Sequence, residues 1–202
     1  MTTVRHVDRL WNAKVWGRLL RELLSSRPES SARLEAELHS LVATAALAMI
    51  RLDELQQSHA PLFGRLLRTV LASQERDGGW RDPATTALCL QALLIGAGHG
   101  AAIDAGLRYL AVLQQDCGSW PREPLRRMPS DAYATALVLF YLGDRAELRD
   151  AARVDDAVAW LDRHPAEMDA ETKRLWALAS LRCRDAPRAS AYTPEREPRR
   201  CA

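Results

Sequence analysis

Several side chains in the middle of the chain are of types that catalyse reactions or bind anions. His99 stands in the Gly-rich segment 96–100 and can act as a general base. No Ser or Cys nucleophile is tied to it by a recognisable spacing, so we interpret it as an exposed loop residue. Three arginines have two interpretations: Arg122, Arg126 and Arg127. They can bind a diphosphate, because guanidinium groups bind phosphates well, or they can form a solvated basic loop.

Two other charged segments have more than one interpretation. Asp155 and Asp156 are typical either of a metal or diphosphate site or of a helix start, where carboxylates favour the positive end of the dipole; we favour the helix start. A predicted helix over about residues 4–24 combines an apolar stripe with basic residues. These are Arg5, Arg9, Lys14, Arg18 and Arg21. The helix can pack along the rest of the fold, which is the default, dock to a partner, or lie on an anionic membrane.

The composition bounds the class of protein. With 48% apolar and 27% charged residues, the chain resembles a soluble globular protein, and a net charge of +2 does not indicate a nucleic-acid partner. No apolar stretch reaches the ~18 residues of a spanning helix, and the charged N-terminus lacks the apolar core of a signal peptide. The cysteines Cys89, Cys117, Cys183 and Cys201 form no C-x-x-C pair. They are typical of reduced thiols in a cytoplasmic protein.

One pattern occurs twice in the chain. Residues 74–80 and 114–120 both read Gln-x-x-x-Gly-x-Trp, and each is followed by an Asp four residues before a Thr-Ala-Leu segment, at Asp82 and at Asp131. A fixed period of this length indicates a helical-repeat fold, in which each unit buries its apolar face against its neighbours.

The repeated residue types suit structural roles. The glycines fall where a tight turn needs positive φ or close backbone approach, the tryptophans can pack back on a helical hairpin, and the glutamines can bond a helix end. Asp82 and Asp131 suit N-cap positions. We therefore predict a structural role for Gln74, Gly78, Trp80, Gln114, Gly118 and Trp120.

Apolar spacing predicts an all-α fold of about eight helices, or four hairpins. The predicted helices cover about residues 4–24, 32–57, 61–75, 83–95, 102–115, 131–142, 151–163 and 170–181. The last two form a third, decayed unit without the Gln/Gly/Trp pattern. We predict a single domain over residues 1–184, with N-terminal helices to residue 60 and repeat units over 61–183, and a flexible tail over 185–202.

The Gln-x-x-x-Gly-x-Trp turn followed by a Thr-Ala-Leu helix resembles the QW repeats of terpene cyclases of the squalene-hopene cyclase type and of protein prenyltransferase β-subunits. The resemblance is specific over about residues 66–143 and extends to about 183. It implies an α/α-toroid, in which inner helices line an apolar cavity. The inner helices would be those at about 84–95 and 131–142, and the outer ones those at about 61–75, 102–115 and 151–163. Complete toroids use about five to seven hairpins, so four hairpins imply an incomplete toroid, an open arc.

The residues that carry catalysis in these families have no match here. Class II cyclases protonate an alkene with the middle acid of an Asp-x-Asp-Asp-Thr-Ala or Asp-x-Asp-Thr-Thr segment, and Ala84 and Tyr133 stand at its place. A phenol, with a pKa of about 10, cannot replace that acid. Prenyltransferases bind zinc through an Asp-x-Cys pair and a distant His, whereas Asp116 and Cys117 are adjacent and no convincing third ligand follows. The resemblance therefore implies the fold and not the chemistry.

We expect a non-catalytic toroid-like subunit or scaffold that binds another protein or a second copy, without catalytic residues, metal or cofactor. The alternatives are a divergent isoprenoid-handling enzyme that binds a prenyl diphosphate, and a carrier of an apolar small molecule. A ligand would meet Asp131, Tyr133, Arg122, Arg126 and Arg127. Surplus apolar residues on the terminal helices predict an interface at Trp11, Trp16, Leu175 and Trp176.

Overall fold

The computed structural model describes residues 31–96, 99–122 and 130–185, and the side chains of residues 41–96, 99–122 and 130–184. Its helices are α1 (Ser31–Glu54), α2 (Pro61–Ala72), α3 (Pro83–Ile95), α4 (Gly100–Leu113), α5 (Asp131–Leu142), α6 (Ala146–Ala151), α7 (Val154–Arg163) and α8 (Ala170–Asp185). A 3-10 helix, Pro165–Glu167, joins α7 to α8. These residues contain no strand, so the prediction of an all-α fold is confirmed for this part of the chain.

The chain divides into two compact units, residues 1–41 and 42–202. The first unit is described over residues 31–41, which form the beginning of α1. The second unit holds the remainder of α1 and all the other helices, and it contains a continuous buried core. The predicted helix over residues 4–24 and the predicted tail beyond Asp185 lie outside the described residues, and the predicted domain bounds stay predictions.

Two helices, α3 and α5, form the packed centre of the second unit. Helix α3 packs against both α4 and α5, and α5 packs against α8. Helix α3 carries no charged residue and is buried from Pro83 to Leu93. A helix that is apolar or small on every side must be surrounded by other helices, and α3 and α5 both meet that description. Their Ala-rich sequences allow the backbones to approach closely.

The flanking helices bury only one side. Helix α2 buries Phe63 and Val70, two turns apart, and leaves its arginines exposed. Helix α7 buries Val154, Ala157 and Leu161, which recur every three or four residues. This spacing places the apolar residues on one stripe and the charged ones on the opposite surface, as expected for helices at the outside of a packed unit.

Helix bounds differ from the predicted ones mainly around α6. The region after α5 forms a separate short helix, α6, which the apolar spacing did not predict, and α7 begins only at Val154. The two are separated because Ala152 and Arg153 have non-helical backbone angles. The other predicted helices that fall on described residues agree with the structure to within about four residues at each end, and the largest difference is at the end of α8.

Helices α3, α5 and α8 each begin with a polar N-cap. Asp82 caps α3 by accepting from the N–H of Thr85 at 2.8 Å, and Asp169 caps α8 by accepting from the N–H of Thr172 at 2.7 Å. The N–H of Thr172 accordingly lowers the pKa of the Asp169 carboxyl. The prediction that Asp131 is an N-cap is wrong, because Ser130 occupies that position and Asp131 is the first residue of α5. A hydroxyl oxygen caps as well as a carboxylate, so the spacing alone did not separate the two neighbours.

Candidate functional site

Trp80 and Trp120 make the same pair of hydrogen bonds. Each indole Nε1 donates at 2.8 Å to the carbonyl ten residues earlier, near the end of the preceding helix, which is Val70 in one case and Leu110 in the other. Each backbone N–H donates at 2.9 Å to a threonine hydroxyl on the following central helix. Both indole rings are buried. A tryptophan at this place therefore fastens the end of one helix to the beginning of the next.

Gln74 and Gln114 extend this fastening to a third helix. Each side-chain amide Nε2 donates at 2.8 Å to the carbonyl of the glycine four residues later. The same nitrogen also donates to a carbonyl at the beginning of the next flanking helix. For Gln74 this is the carbonyl of Ala102 in the first turn of α4, at 2.9 Å, and for Gln114 it is the carbonyl of Arg153 just before α7, at 3.0 Å. Gln114 makes one bond more, because its Oε1 accepts from the N–H of Arg153 at 2.9 Å.

The glycines of the pattern are required by conformation and by space. Gly78 has φ of +93° and Gly118 has φ of +96°, in the region that favours glycine. A Cβ added to Gly78 would lie 2.5 Å from the carbonyl oxygen of Ala105, and one added to Gly118 would lie 2.6 Å from the carbonyl carbon of Asp156. The turn therefore presses directly on the backbone of the next flanking helix.

The end of α7 is closed in a different way. No Gln and no Trp of the pattern follow this helix, and His164 is its C-cap. The ring Nδ1 of His164 lies 2.7 Å from the carbonyl oxygen of Trp160, which makes Nδ1 the donor, and the two rings stack with centroids 4.7 Å apart. The backbone N–H of His164 donates to Leu161. One histidine thus satisfies carbonyls at a helix end where α2 and α4 use a tryptophan from the turn.

The position that corresponds to the proton-donating Asp of class II cyclases is occupied by Ala84. Ala84 is buried in the first turn of α3, beside Asp82. The Asp82 carboxylate is buried as well, and both of its oxygens accept from Thr85: Oδ1 from the N–H and Oδ2 from the hydroxyl, at 2.7 Å. A carboxylate held in this way at a helix N-terminus stabilises the helix.

The candidate ligand residues near α5 are brought together in part. Asp131 Oδ1 accepts at 2.8 Å from the backbone N–H of Arg122, and its Oδ2 lies 3.5 Å from Gln115 Nε2. Arg122 thus lies beside Asp131, with its main-chain N–H in contact with the carboxylate. Tyr133 lies two residues further along α5. Arg126 and Arg127 lie outside the described residues, so the proposed diphosphate grip stays a prediction.

Half-buried aromatic side chains occupy one side of α5. These are Tyr133, Phe140 and Tyr141. Burial raises the pKa of Tyr141 to about 12, and the nearby Tyr133 adds to the rise. Burial, followed by the charges of Glu171 and Asp169, raises the pKa of Tyr133. Both phenols are therefore neutral at physiological pH and can donate hydrogen bonds, but neither is a strong enough acid to protonate an alkene.

A buried arginine that the sequence did not single out joins three helices. The side chain of Arg149 on α6 is only 8% exposed. It donates to Gly143 O at the end of α5, at 3.1 Å, and to Cys183 O near the end of α8, at 2.7 Å, and it pairs with Asp155 at 3.4 Å. A cation is favoured at helix C-termini, where the carbonyls have no partner within the helix.

Arg182 makes a second link between the same helix ends. Its guanidinium donates to Asp144 Oδ2 at 2.9 Å and to the carbonyl of Phe140 at 2.8 Å, and it lies over the Phe140 ring at 5.7 Å from the centroid. Both arginines contact residues more than 30 positions away, which is why neither stands out in the sequence.

The predicted interface residues on α8 are covered in part. Leu175 and Trp176 are half-buried and pack against the core. The more exposed apolar residues of this helix are Leu178, at 38%, and Leu181, at 57%. Trp11 and Trp16 lie outside the described residues. The interface therefore stays a prediction. On α8, the exposed apolar residues lie closer to the C-terminal end of the helix than Leu175 and Trp176 do.

The remaining candidates lie at the beginnings of helices. His99 precedes α4 and makes no side-chain capping bond, while Asp155 and Asp156 are exposed in the first turn of α7. Among the described residues, no group of three His, Cys, Asp or Glu side chains is arranged to hold a metal ion, and this includes Asp116 and Cys117. Over that same part of the chain, no helix combines the length and the apolarity needed to cross a membrane.

Comparison with protein-family models, with characterised proteins and with solved structures finds no match to this chain. The resemblance to terpene cyclases and prenyltransferase subunits accordingly depends on the repeated turns alone.

Proposed function

We propose that this protein is a non-catalytic helical-repeat module, built as an open arc of α/α-toroid type, that binds a partner protein. The observation that carries the proposal is the use of the polar residues in the repeated segments. Gln74, Gln114 and Asp82 bond backbone groups at helix ends, and Thr86 and Thr135 accept from the tryptophan main chain. These side chains fasten helices together instead of meeting a substrate.

The matching geometry of the two turns supports the repeat part of the proposal. The hydrogen bonds of Trp80 match those of Trp120 in donor, acceptor and distance, and so do the bonds from the two glutamines to the turn glycines. The turn glycines also have nearly equal positive φ values. Repeat modules present extended surfaces to other proteins, and their end units are the natural places for contact. An acid able to protonate an alkene is missing at Ala84 and Tyr133, which argues against cyclase chemistry.

Two measurements test this proposal. A photo-crosslinking phenylalanine analogue is placed at positions 55, 112, 176 or 181 in cells of the source organism, and adducts are identified by mass spectrometry. We expect one partner of defined mass at some positions and none at others. Purified protein is also incubated with geranylgeranyl diphosphate and with squalene, with Tyr133→Phe as the matched variant. Absence of any adduct, or product formation that Tyr133→Phe reduces, would contradict a non-catalytic binding module.

A carrier of an apolar small molecule is the second candidate. It is favoured by the half-buried aromatics of α5, where Phe140 and Tyr141 meet edge to face at 5.2 Å between centroids. Native mass spectrometry of freshly purified protein tests it. A retained small molecule that is lost in Phe140→Ala, with the fold intact by circular dichroism, would support the carrier function over the scaffold function.

A further inference from the structure

The junction between the first turn and α3 contains a strained residue. Arg81 has φ of +73°, and the N–H of Asp82 donates to the carbonyl of Trp80 at 3.0 Å. A bond that spans one residue, together with positive φ at that residue, defines the rare and strained form of the γ-turn. The Cβ of an L-residue crowds the backbone in this conformation, so an arginine is strained here.

Two other places in the chain show that this strain is not needed to lead into a helix. Before α7, the N–H of Val154 donates to the carbonyl of Ala152 at 3.0 Å, and Arg153 between them has φ of −84°, which is the common, unstrained form of the γ-turn. The residue after Trp120 is Pro121, whose ring fixes φ at about −65°. The second turn nevertheless makes the same tryptophan bonds as the first.

Tyr109 on α4 holds the strained residue from outside the turn. Its hydroxyl donates to the carbonyl of Arg81 at 2.9 Å, across 28 positions of the sequence. Its ring lies close against the backbone of Gly79, since a Cβ added to that glycine would lie 2.6 Å from the ring atoms Cε2 and Cζ. One side chain of α4 thus contacts the segment that leads into α3 at two points.

The residues on either side of Arg81 are held separately. The main-chain N–H of Trp80 donates to the Thr86 hydroxyl at 2.9 Å, and the Asp82 carboxylate accepts from Thr85 as the N-cap of α3. Because both ends of the segment are bonded to α3, a change of backbone angles at Arg81 is confined to the segment itself. Strained backbone persists only where the surrounding structure imposes it, and it is concentrated at functional sites and switch regions.

We propose that Tyr109 is a latch that holds the segment 80–82 in its strained conformation, and that the segment has a second, relaxed state. In the relaxed state the Tyr109 hydroxyl is released, Arg81 takes the negative φ of an extended chain, and the Asp82 N–H loses its bond to Trp80. The Arg81 carbonyl and side chain then point in new directions. One hydrogen bond and one strained residue are of comparable free energy, so the two states lie close together. The latch operates whatever the module binds, and it therefore goes beyond the proposed function.

Amide hydrogen exchange of the full chain, followed by nuclear magnetic resonance, tests the latch. Tyr109→Phe removes the hydroxyl and keeps the ring. We expect it to raise the exchange rate of the Asp82 amide by about tenfold, as loss of one hydrogen bond does, and to weaken the strong Overhauser effect between N–H and Hα of Arg81 that marks positive φ. The amide of Trp80, which is bonded to α3, should stay within about twofold. Tyr133→Phe removes a phenol hydroxyl from α5 instead and should change neither rate by more than about twofold.

Substitutions of Arg81 separate a latch from an ordinary hydrogen bond. Glycine adopts positive φ without strain, whereas alanine removes the same side chain and keeps the strain. We expect Tyr109→Phe to raise the Asp82 exchange rate about tenfold when combined with Arg81→Ala, and by no more than about twofold when combined with Arg81→Gly. In urea unfolding, Arg81→Gly should have a higher midpoint than Arg81→Ala, because relief of strain outweighs the entropy that glycine adds to the unfolded chain.

Three outcomes would overturn the latch. They are an Asp82 exchange rate that Tyr109→Phe leaves unchanged, an equal effect of Tyr109→Phe beside Arg81→Gly and beside Arg81→Ala, and a rise of equal size at Asp82, at Trp80 and throughout α3, which would mean lost stability without a relaxed state. If Tyr109→Phe does not fold, as judged by circular dichroism, the two Arg81 variants still decide the matter. A urea midpoint for Arg81→Gly at or below that of Arg81→Ala would show that no strain is stored at this residue.

Discussion

The replacement of Gln114 by Ala tests the structural role of the repeated turns most directly. The Gln114 side chain is buried and makes three hydrogen bonds to backbone groups, at Gly118 O, Arg153 O and Arg153 N. An intramolecular hydrogen bond contributes about 1 kcal/mol net. Removal of all three should therefore reduce the free energy of unfolding by about 3 kcal/mol. Gln74 makes two such bonds, so Gln74→Ala should reduce the free energy of unfolding by about 2 kcal/mol.

Urea unfolding followed by circular dichroism measures both variants. With an m-value of about 2 kcal/mol/M, the midpoint should fall by about 1.5 M for Gln114→Ala and about 1 M for Gln74→Ala. Gln57→Ala is the matched control, because Gln57 is exposed in the loop after α1, and its effect should stay within about 0.5 kcal/mol. Equal shifts for Gln114→Ala and Gln57→Ala would refute the assignment of these bonds.

Gln114→Glu provides a sharper form of the same test. The change keeps the shape of the side chain but replaces the amide donor with a carboxylate oxygen, which would then face the carbonyls of Gly118 and Arg153 at 2.8 and 3.0 Å. Two acceptors in contact are repulsive, so we expect Gln114→Glu to be less stable than Gln114→Ala at neutral pH. The difference should shrink in acid, where a protonated carboxyl can donate. A Glu variant as stable as wild type would show that the amide does not donate to these carbonyls.

Predictions for four further substitutions concern backbone geometry and ionisation. Gly118→Ala should cost about 3 kcal/mol or more, because a left-handed conformation costs about 1–2 kcal/mol without glycine and the new Cβ meets the backbone of Asp156. Gly64→Ala, where nothing lies within 4 Å of the new atom, should stabilise α2 by about 0.5–1 kcal/mol; equal effects in the same urea assay would contradict this. Gln56 has φ of 59° just after α1, a conformation that glycine adopts without strain. We expect Gln56→Gly to raise the free energy of unfolding by about 0.5–1 kcal/mol, and a lower melting temperature of the variant would contradict this. Burial raises the pKa of Tyr141 to about 12, so stability should be lost as the pH rises from about 10 to about 12. Tyr141→Phe should remove a step near pH 12 from the ultraviolet phenol titration, and an unchanged titration curve would speak against this assignment.

The local features of this protein follow from its sequence. Apolar spacing indicates the central and flanking helices, because a helix places every third or fourth residue on one side whatever it packs against. The positive φ at Gly78 and Gly118 is indicated by glycine in a short turn, since other residues are strained there. The role of Gln74 and Gln114 at a helix end is local as well, because the glycine carbonyl that they bond lies four residues away.

Tertiary structure decided which distant groups these side chains meet. The second acceptor of Gln114 lies 39 residues away and that of Gln74 lies 28 residues away, and no spacing rule identifies them. Arg149 became a buried link only because α5, α6 and α8 bring their ends together, and the main chain of Arg122 meets Asp131 because of the path of the loop. The exposed side of α8 is likewise set by its contact with α5, since apolar residues occur around much of this helix. Partner choice between distant segments depends on the packed shape of the whole unit, which is why the sequence pattern indicates the helices but not these contacts.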